Sequence, residues 1–186
     1  EAAREHLGLP QGAWVVGNVG RLHPDKDQST LIRGFAEALP QLPVSSLLVI
    51  MGCGRLESSL KALAMELGVS ESVRFLGQLP NGRRYFKAFD VFALTSDHEP
   101  FGMVLLEAMA GGVPVVCSDC GGAPEVVDGV GQVFTLGDVQ GLANELLRVP
   151  SVKASSEAML VRLQRLFSDQ AAAERFRALL MPSSWA

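Results

Sequence analysis

Two carboxylates stand eight residues apart in the segment Glu99-Pro100-Phe101-Gly102-Met103-Val104-Leu105-Leu106-Glu107. A Pro-Phe-Gly turn follows the first and an apolar run surrounds the second. Pro100 and Gly102 suit a tight turn, so the pattern predicts a helix starting near Met103. Gly102 has no side chain, which lets a ligand approach the backbone between Phe101 and Val104. The free N–H groups of a helix start favour an anion such as phosphate. Glu107 then lies roughly 6–8 Å further along the axis, at about 1.5 Å per residue. A carboxylate there can accept two hydrogen bonds from a sugar diol while a phosphate sits on the helix end. A sugar nucleotide presents both groups. The alternative for Glu107 is a helix carboxylate neutralised by an arginine. A buried charge needs some partner, either a ligand diol or a protein cation.

Arg21 and Lys26 form a second centre, on a loop that follows an apolar run and Gly20. Arginine can grip two phosphate oxygens at once, and lysine adds a mobile point charge. The competing reading is a solvated loop with Lys26 paired to Asp25 or Asp27. The Glu99–Glu107 segment elsewhere in the chain favours the ligand reading. Asp25-Lys26-Asp27 is also a D-x-D string, whose oxygens suit Mg²⁺ or Mn²⁺. Two acids around a lysine are only a fragment of a metal site, so no metal ligand is assigned. Cys117-Ser118-Asp119-Cys120 has the spacing of a redox dithiol or half a zinc site. With no second pair, both cysteines read as ordinary thiols, Cys117 inside a strand. Gly121, Gly122 and Glu125 can turn the chain and cap a short helix. His23 and His98 receive no role.

Strand-like and helix-like runs alternate around these centres. Strands are expected at Trp14–Val19, Leu47–Met51, Val73–Leu76, Val91–Leu94, Pro114–Cys117 and Gln132–Thr135. Helices are expected at Ser29–Leu39, Leu56–Leu67, Arg83–Phe89, Met103–Ala110, Ala123–Val127, Val139–Val149, Ala154–Phe167 and Asp169–Leu180. This alternation implies an α/β fold, a parallel sheet with helices on both faces. Such sheets bind ligands at the carboxyl ends of their strands. The loops to watch are therefore Gly20–Asp27, Gly52–Arg55, Gly77–Gly82, Thr95–Gly102 and Ser118–Gly122. Ser151–Ser156 is a weak hinge.

The 186 residues suffice for one domain with a substantial core, and 48% of them are apolar. The net charge of −4 excludes a general basic surface for nucleic acid. No apolar run reaches the roughly 18 residues of a membrane span, and no signal peptide is recognisable. Three cysteines, an odd number, suggest reduced thiols in a cytoplasm. Glu1–Pro10 reads as a helix end followed by a linker.

The Glu99–Glu107 segment resembles the Glu-x7-Glu motif of retaining GT-B glycosyltransferases, family four. Gly17–Asp27 resembles that family's first strand and phosphate loop. Val73-Arg74-Phe75-Leu76-Gly77 is similar to its base-binding strand, and Gly121–Val127 to its G-G-x-x-E-[IV] turn. The four blocks follow the family's order and spacing. The resemblance implies a Rossmann-like three-layer αβα sandwich, one half of a GT-B fold. Residues 1–168 would form the nucleotide-sugar domain, and 169–186 a helix crossing to an amino-terminal domain. It implies transfer of a hexose, with retention, from a nucleotide diphosphate sugar to a glycan or glycolipid acceptor of the cell envelope. Neither a cofactor nor a metal would be needed. Glu99, Arg21 and Lys26 would serve catalysis. Gly20, Gly52, Phe75, Leu76, Gly77, Phe101, Gly102, Met103, Val104 and Glu107 would join them in holding the donor, with the base near Phe75–Gln78. The acceptor would bind through the other domain, in a cytoplasmic protein that can sit at the inner face of the membrane. The same residues leave two alternatives, a GT-B sugar-nucleotide epimerase and a non-catalytic nucleotide-binding module. No G-x-G-x-x-G signature opens the first strand–helix turn.

Overall fold

The computed structural model describes residues 1–151 and 156–180. Six strands form one sheet: β1 (Val15–Val19), β2 (Leu47–Met51), β3 (Val73–Gly77), β4 (Val91–Leu94), β5 (Val115–Ser118) and β6 (Gln132–Phe134). All neighbouring pairs are parallel, in the order β3-β2-β1-β4-β5-β6. Strands of this kind need helical crossovers, and the chain supplies them. The helices are α1 (Ala2–His6), α2 (Gln28–Ala38), α3 (Glu57–Glu66), α4 (Met103–Ala110), α5 (Ala123–Val127), α6 (Val139–Arg148), α7 (Ser156–Phe167) and α8 (Asp169–Leu180).

Both faces of the sheet are covered, which explains why the central strands are apolar throughout rather than alternating. On one face Val15, Val49, Phe92 and Val115 pack with Leu105 and Met109 of α4 and with Phe86 and Phe89. On the other, Val16, Leu48, Ile50 and Val116 pack with Leu31 and Phe35 of α2 and Leu142 and Leu146 of α6. Gly17 makes room for the Phe89 ring; a Cβ there would fall 2.1 Å from it. Gly34 likewise lets α2 approach α6, since its Cβ would lie 2.7 Å from Leu142.

β1 lies between β2 and β4, and here the strand order changes direction. The chain leaves β1 toward one side and returns through β4 on the other. The loops after β1 and β4 therefore part at their carboxyl ends and open a crevice. Those are the loops that carry Arg21 and Lys26, and Glu99.

Three details differ from the sequence reading. Residues 1–10 are part of the domain rather than a linker: the Arg4 guanidinium bridges Asp90 at 2.6 Å and donates to Gln11 O, Ala13 O and Ala88 O. The helix expected at Arg83–Phe89 is a 3-10 helix and runs over Gly82–Ala88. Its burial requirement is met by Phe86 and Ala88 alone, so the tighter turn suffices. Element ends move by one or two residues, as in β5, which begins after Pro114, a residue with no N–H to give the ladder. The hinge expected at 151–156 falls mostly outside the described residues. α8 packs on α7, with Ala171 buried and Phe176 exposed. Among the described residues, no helix is long and apolar enough to cross a membrane.

Candidate active site

Glu99 and Lys26 meet across the crevice. Lys26 Nζ lies 2.9 Å from Glu99 Oε2, and the two side chains are only 20% and 13% exposed. Glu99 Oε1 accepts from the Gly102 N–H at 3.1 Å. Gly102 has φ +84° and caps α4 from the left-handed region, which a glycine adopts without strain. The Met103 and Val104 amides follow, at positions where no preceding helical turn supplies an acceptor. A cation, a carboxylate and the positive end of a helix thus converge on one point.

The Gly121-Gly122 turn holds the Glu99 backbone. Gly122 N–H donates to Glu99 O at 2.9 Å. Gly121 has φ +61°, and a Cβ there would lie 2.1 Å from the same oxygen. The glycine pair is therefore a close support for the Glu99 loop. The Glu125 and Val126 carbonyls that follow are capped by Arg162 of α7.

Gly52 supports the cation loop in the same way. Its N–H donates to Gly77 O, Gly20 N–H donates to Met51 O, and a Cβ on Gly52 would strike Gly20 O. Gly20, Arg21, Gly52, Cys53, Gln78 and Leu79 line a cavity of about 450 Å³ at the ends of β1, β2 and β3. The Phe75 ring lies elsewhere. It packs toward α3, under the Lys61 ammonium at 5.6 Å, and lines a separate depression. Leu76 packs toward the opposite face.

Arg21 and Lys26 do not share a target. Arg21 is 71% exposed and pairs with Asp25 Oδ2 at 3.2 Å. Asp25 Oδ1 lies 2.6 Å from His23 Nδ1, and Arg55 approaches the other ring nitrogen at 3.5 Å. Burial pulls the Asp25 carboxyl upward. The His23 hydrogen bond, with the His23, Lys26 and Arg21 charges, outweighs that and holds it below its ordinary 3.8. Asp27 turns the other way and caps α2, accepting from Thr30 N–H and Ser29 Oγ. The D-x-D acids thus serve different partners. The cluster of His23, Asp25 and Arg55 was not legible in the sequence, because Arg55 arrives from the loop after β2.

Glu107 faces a groove of about 750 Å³ between α4, α7 and the 3-10 segment, with Arg83, Arg84, Lys87, Leu106 and Phe167 among its walls. Among the described residues its carboxylate has no hydrogen-bond or ion-pair partner, although its backbone carbonyl accepts from Gly111 N–H. The arginine-neutralised reading is therefore not realised, although cations line the same groove. Phe101 and Met103 are exposed at the α4 start, and Phe101 meets Phe167 edge-to-face at 5.9 Å. Val104 is half-buried. Lys26 and Glu99 line neither cavity. Cys117 is buried in β5, and desolvation, with the nearby Asp119 charge, pushes its thiol up to about 12. Cys120 bonds Asp97 O instead of a second thiol.

The family model of glycosyl transferases group 1 matches residues 1–177. The chain belongs to the group 1 glycosyl transferases. Curated relatives of this group include the D-inositol 3-phosphate glycosyltransferase of Corynebacterium jeikeium, 42% identical over 137 residues, 69% of this chain and 33% of the relative. The lipopolysaccharide core biosynthesis glycosyltransferase LpsE of Rhizobium meliloti is 38% identical over 78% of this chain and 42% of its own length. Among solved structures, Anabaena HepE in complex with UDP and glucose superposes with a TM-score of 0.79 at 31% identity, covering 95% of this chain and 51% of that one. The chain thus spans a third to a half of the proteins it matches. The Rossmann-like sheet is the one found in GT-B glycosyltransferases.

Proposed function

We propose that this chain is the donor-binding half of a retaining glycosyltransferase. It holds a nucleotide diphosphate hexose while a glycan or glycolipid acceptor of the cell envelope is presented from another domain. The observation that carries this reading is Glu107, a half-buried carboxylate without a protein partner among the described residues, one turn into a helix whose start meets Lys26 and Glu99. The similarity to HepE, whose structure holds UDP and glucose, supports the donor class.

The chemistry follows from the charges. As the glycosidic bond breaks, negative charge grows on the leaving diphosphate. Lys26 and the amides of Gly102–Val104 stabilise that charge in place, Arg21 joins them by leaving Asp25, and no metal is required for it. The sugar ring becomes oxocarbenium-like, as in glycoside hydrolysis. Glu99 contacts the sugar hydroxyls and favours positive charge at the ring. Glu107 holds the ribose diol, and the base lies by the backbone of Gly77 and Gln78. The protein works in the cytoplasm, at the inner face of the membrane where its acceptor is a lipid. α8 crosses to the acceptor domain.

A calorimetric screen of UDP, GDP and ADP sugars against the full-length enzyme tests the reading. One donor should bind, and Glu107→Ala should weaken it by about 10- to 150-fold, the loss of a charged hydrogen bond. Failure of every nucleotide sugar to bind would refute the donor site. Equal affinity in a folded Glu107→Ala variant would make Glu107 structural.

A further inference from the structure

Lys26 and Glu99 sit on different loops, so their contact depends on whatever fixes one loop against the other. Thr95 occupies that place. It directly follows β4 and is fully buried. Its Oγ1 lies 2.9 Å from Lys26 O and 3.0 Å from Asp27 O. A hydroxyl has one proton, so the two carbonyls share it in a three-centre bond. Two residues on, the Asp97 N–H donates to Asp25 O at 3.0 Å. Three successive carbonyls of the cation loop are thus received by residues 95–97.

The Thr95 hydroxyl also meets a strained point. Asp27 has φ +41°, a left-handed conformation that costs an L-residue about 1–2 kcal/mol. The backbone of Lys26 is therefore set by a bond from Thr95, and the end of its side chain is set by Glu99, four residues after Thr95. The ring closes on itself: Thr95 hydroxyl, Lys26 carbonyl, Lys26 ammonium, Glu99 carboxylate, and back along the chain.

We propose that Thr95 is a positioning residue that acts through Lys26, clamping the cation against Glu99 so that it is already aimed when a diphosphate arrives. The functional consequence rests on the donor-site reading above; the clamp itself does not.

The test uses the full chain and needs no nucleotide. Reductive methylation with ¹³C-formaldehyde, followed by NMR, reads the accessibility of the Lys26 ammonium. Thr95→Val keeps the shape and removes the proton. Lys26 should then react about five- to tenfold faster, the equivalent of one net hydrogen bond. Thr95→Ser should match the wild type, and Thr95→Cys, a weaker donor, should fall between. Calorimetry with inorganic pyrophosphate gives the second readout. Thr95→Val should weaken it by a similar factor, and should change nothing further in a Lys26→Ala background. Unchanged Lys26 reactivity in a folded Thr95→Val chain would overturn the proposal. So would an equal loss of pyrophosphate affinity with and without Lys26, which would mean general loop disorder. If Thr95→Val does not fold, unchanged Lys26 reactivity in Thr95→Cys overturns it instead. If the wild type binds no pyrophosphate, the donor-site reading fails, and Lys26 reactivity still decides the clamp.

Discussion

Glu99 holds the two groups that the proposed donor site offers to a phosphate. Its two oxygens already take the Lys26 ammonium at 2.9 Å and the Gly102 N–H at 3.1 Å. Glu99→Gln keeps an oxygen for Gly102 and removes the negative charge. A phosphate arriving at about 6 Å would then escape a repulsion of about 1.5–3 kcal/mol per charge, at an effective dielectric of about 20–40. Salt at about 0.15 M reduces this to about 1–2 kcal/mol. Glu99→Gln should therefore bind inorganic pyrophosphate about five- to thirtyfold more tightly than the wild type. The variant should also lose folding stability. The pair is mostly shielded, so the cost lies between that of an exposed pair and a buried one, about 1–2 kcal/mol. Sugar transfer by the full-length enzyme should fall by about 100-fold or more, because a group facing developing charge is gone. Calorimetry with pyrophosphate, run beside thermal unfolding, reads the first two effects. Unchanged or weaker pyrophosphate binding by a folded variant would refute the argument, since Lys26 and the α4 start would then not be the anion site.

Transfer should survive EDTA, because protein cations and helix amides neutralise the leaving group; complete loss restored by Mn²⁺ would return Asp25 and Asp27 to consideration as metal ligands. This chain alone should bind nucleotide diphosphate without transferring sugar, as radiolabelled donor turnover beside the full-length enzyme will show; equal turnover would end the two-domain reading. Gly121→Ala should cost about 2–4 kcal/mol in urea unfolding, because a Cβ would sit 2.1 Å from Glu99 O on a left-handed backbone. Asp25→Asn should lower stability at neutral pH, where the carboxylate is charged and partnered. The folded-state value of Asp25 is depressed, so its contribution is complete above 3.8 and is lost as pH falls through the folded value. The gap between variant and wild type, measured by denaturant titration at neutral pH and at successive values below 3.8, should therefore narrow as the pH falls.

The elements were legible in the sequence because their signals are local. The 3.6-residue stripe of Leu31, Ile32 and Phe35 and the apolar run Leu47–Met51 each declare a period within a few residues. The start of α4 at Met103 was equally readable from Pro100 and Gly102, and so was the pairing of a helix start with Glu107. Partners were not legible. Lys26 has Asp25 and Asp27 beside it, yet its ammonium goes to Glu99, 73 residues away. That choice exists only because β4 lies next to β1, which places the two loops at one edge. The same adjacency gives Thr95 its two carbonyls, and the pairing of β2 with β1 on the other side gives His23 its arginine. The Gly121-Gly122 pair looked like a turn, and its second duty, close contact with Glu99 O, needs β5 beside β4. Nor could the sequence say that the Glu107 carboxylate would lack a partner among the described residues. Sequence determined which groups carry charge, how long each element is and where each turns. Only the tertiary structure decided which charges meet, because hydrogen bonds and ion pairs act over about 3 Å and the order of strands in the sheet sets what lies within that distance.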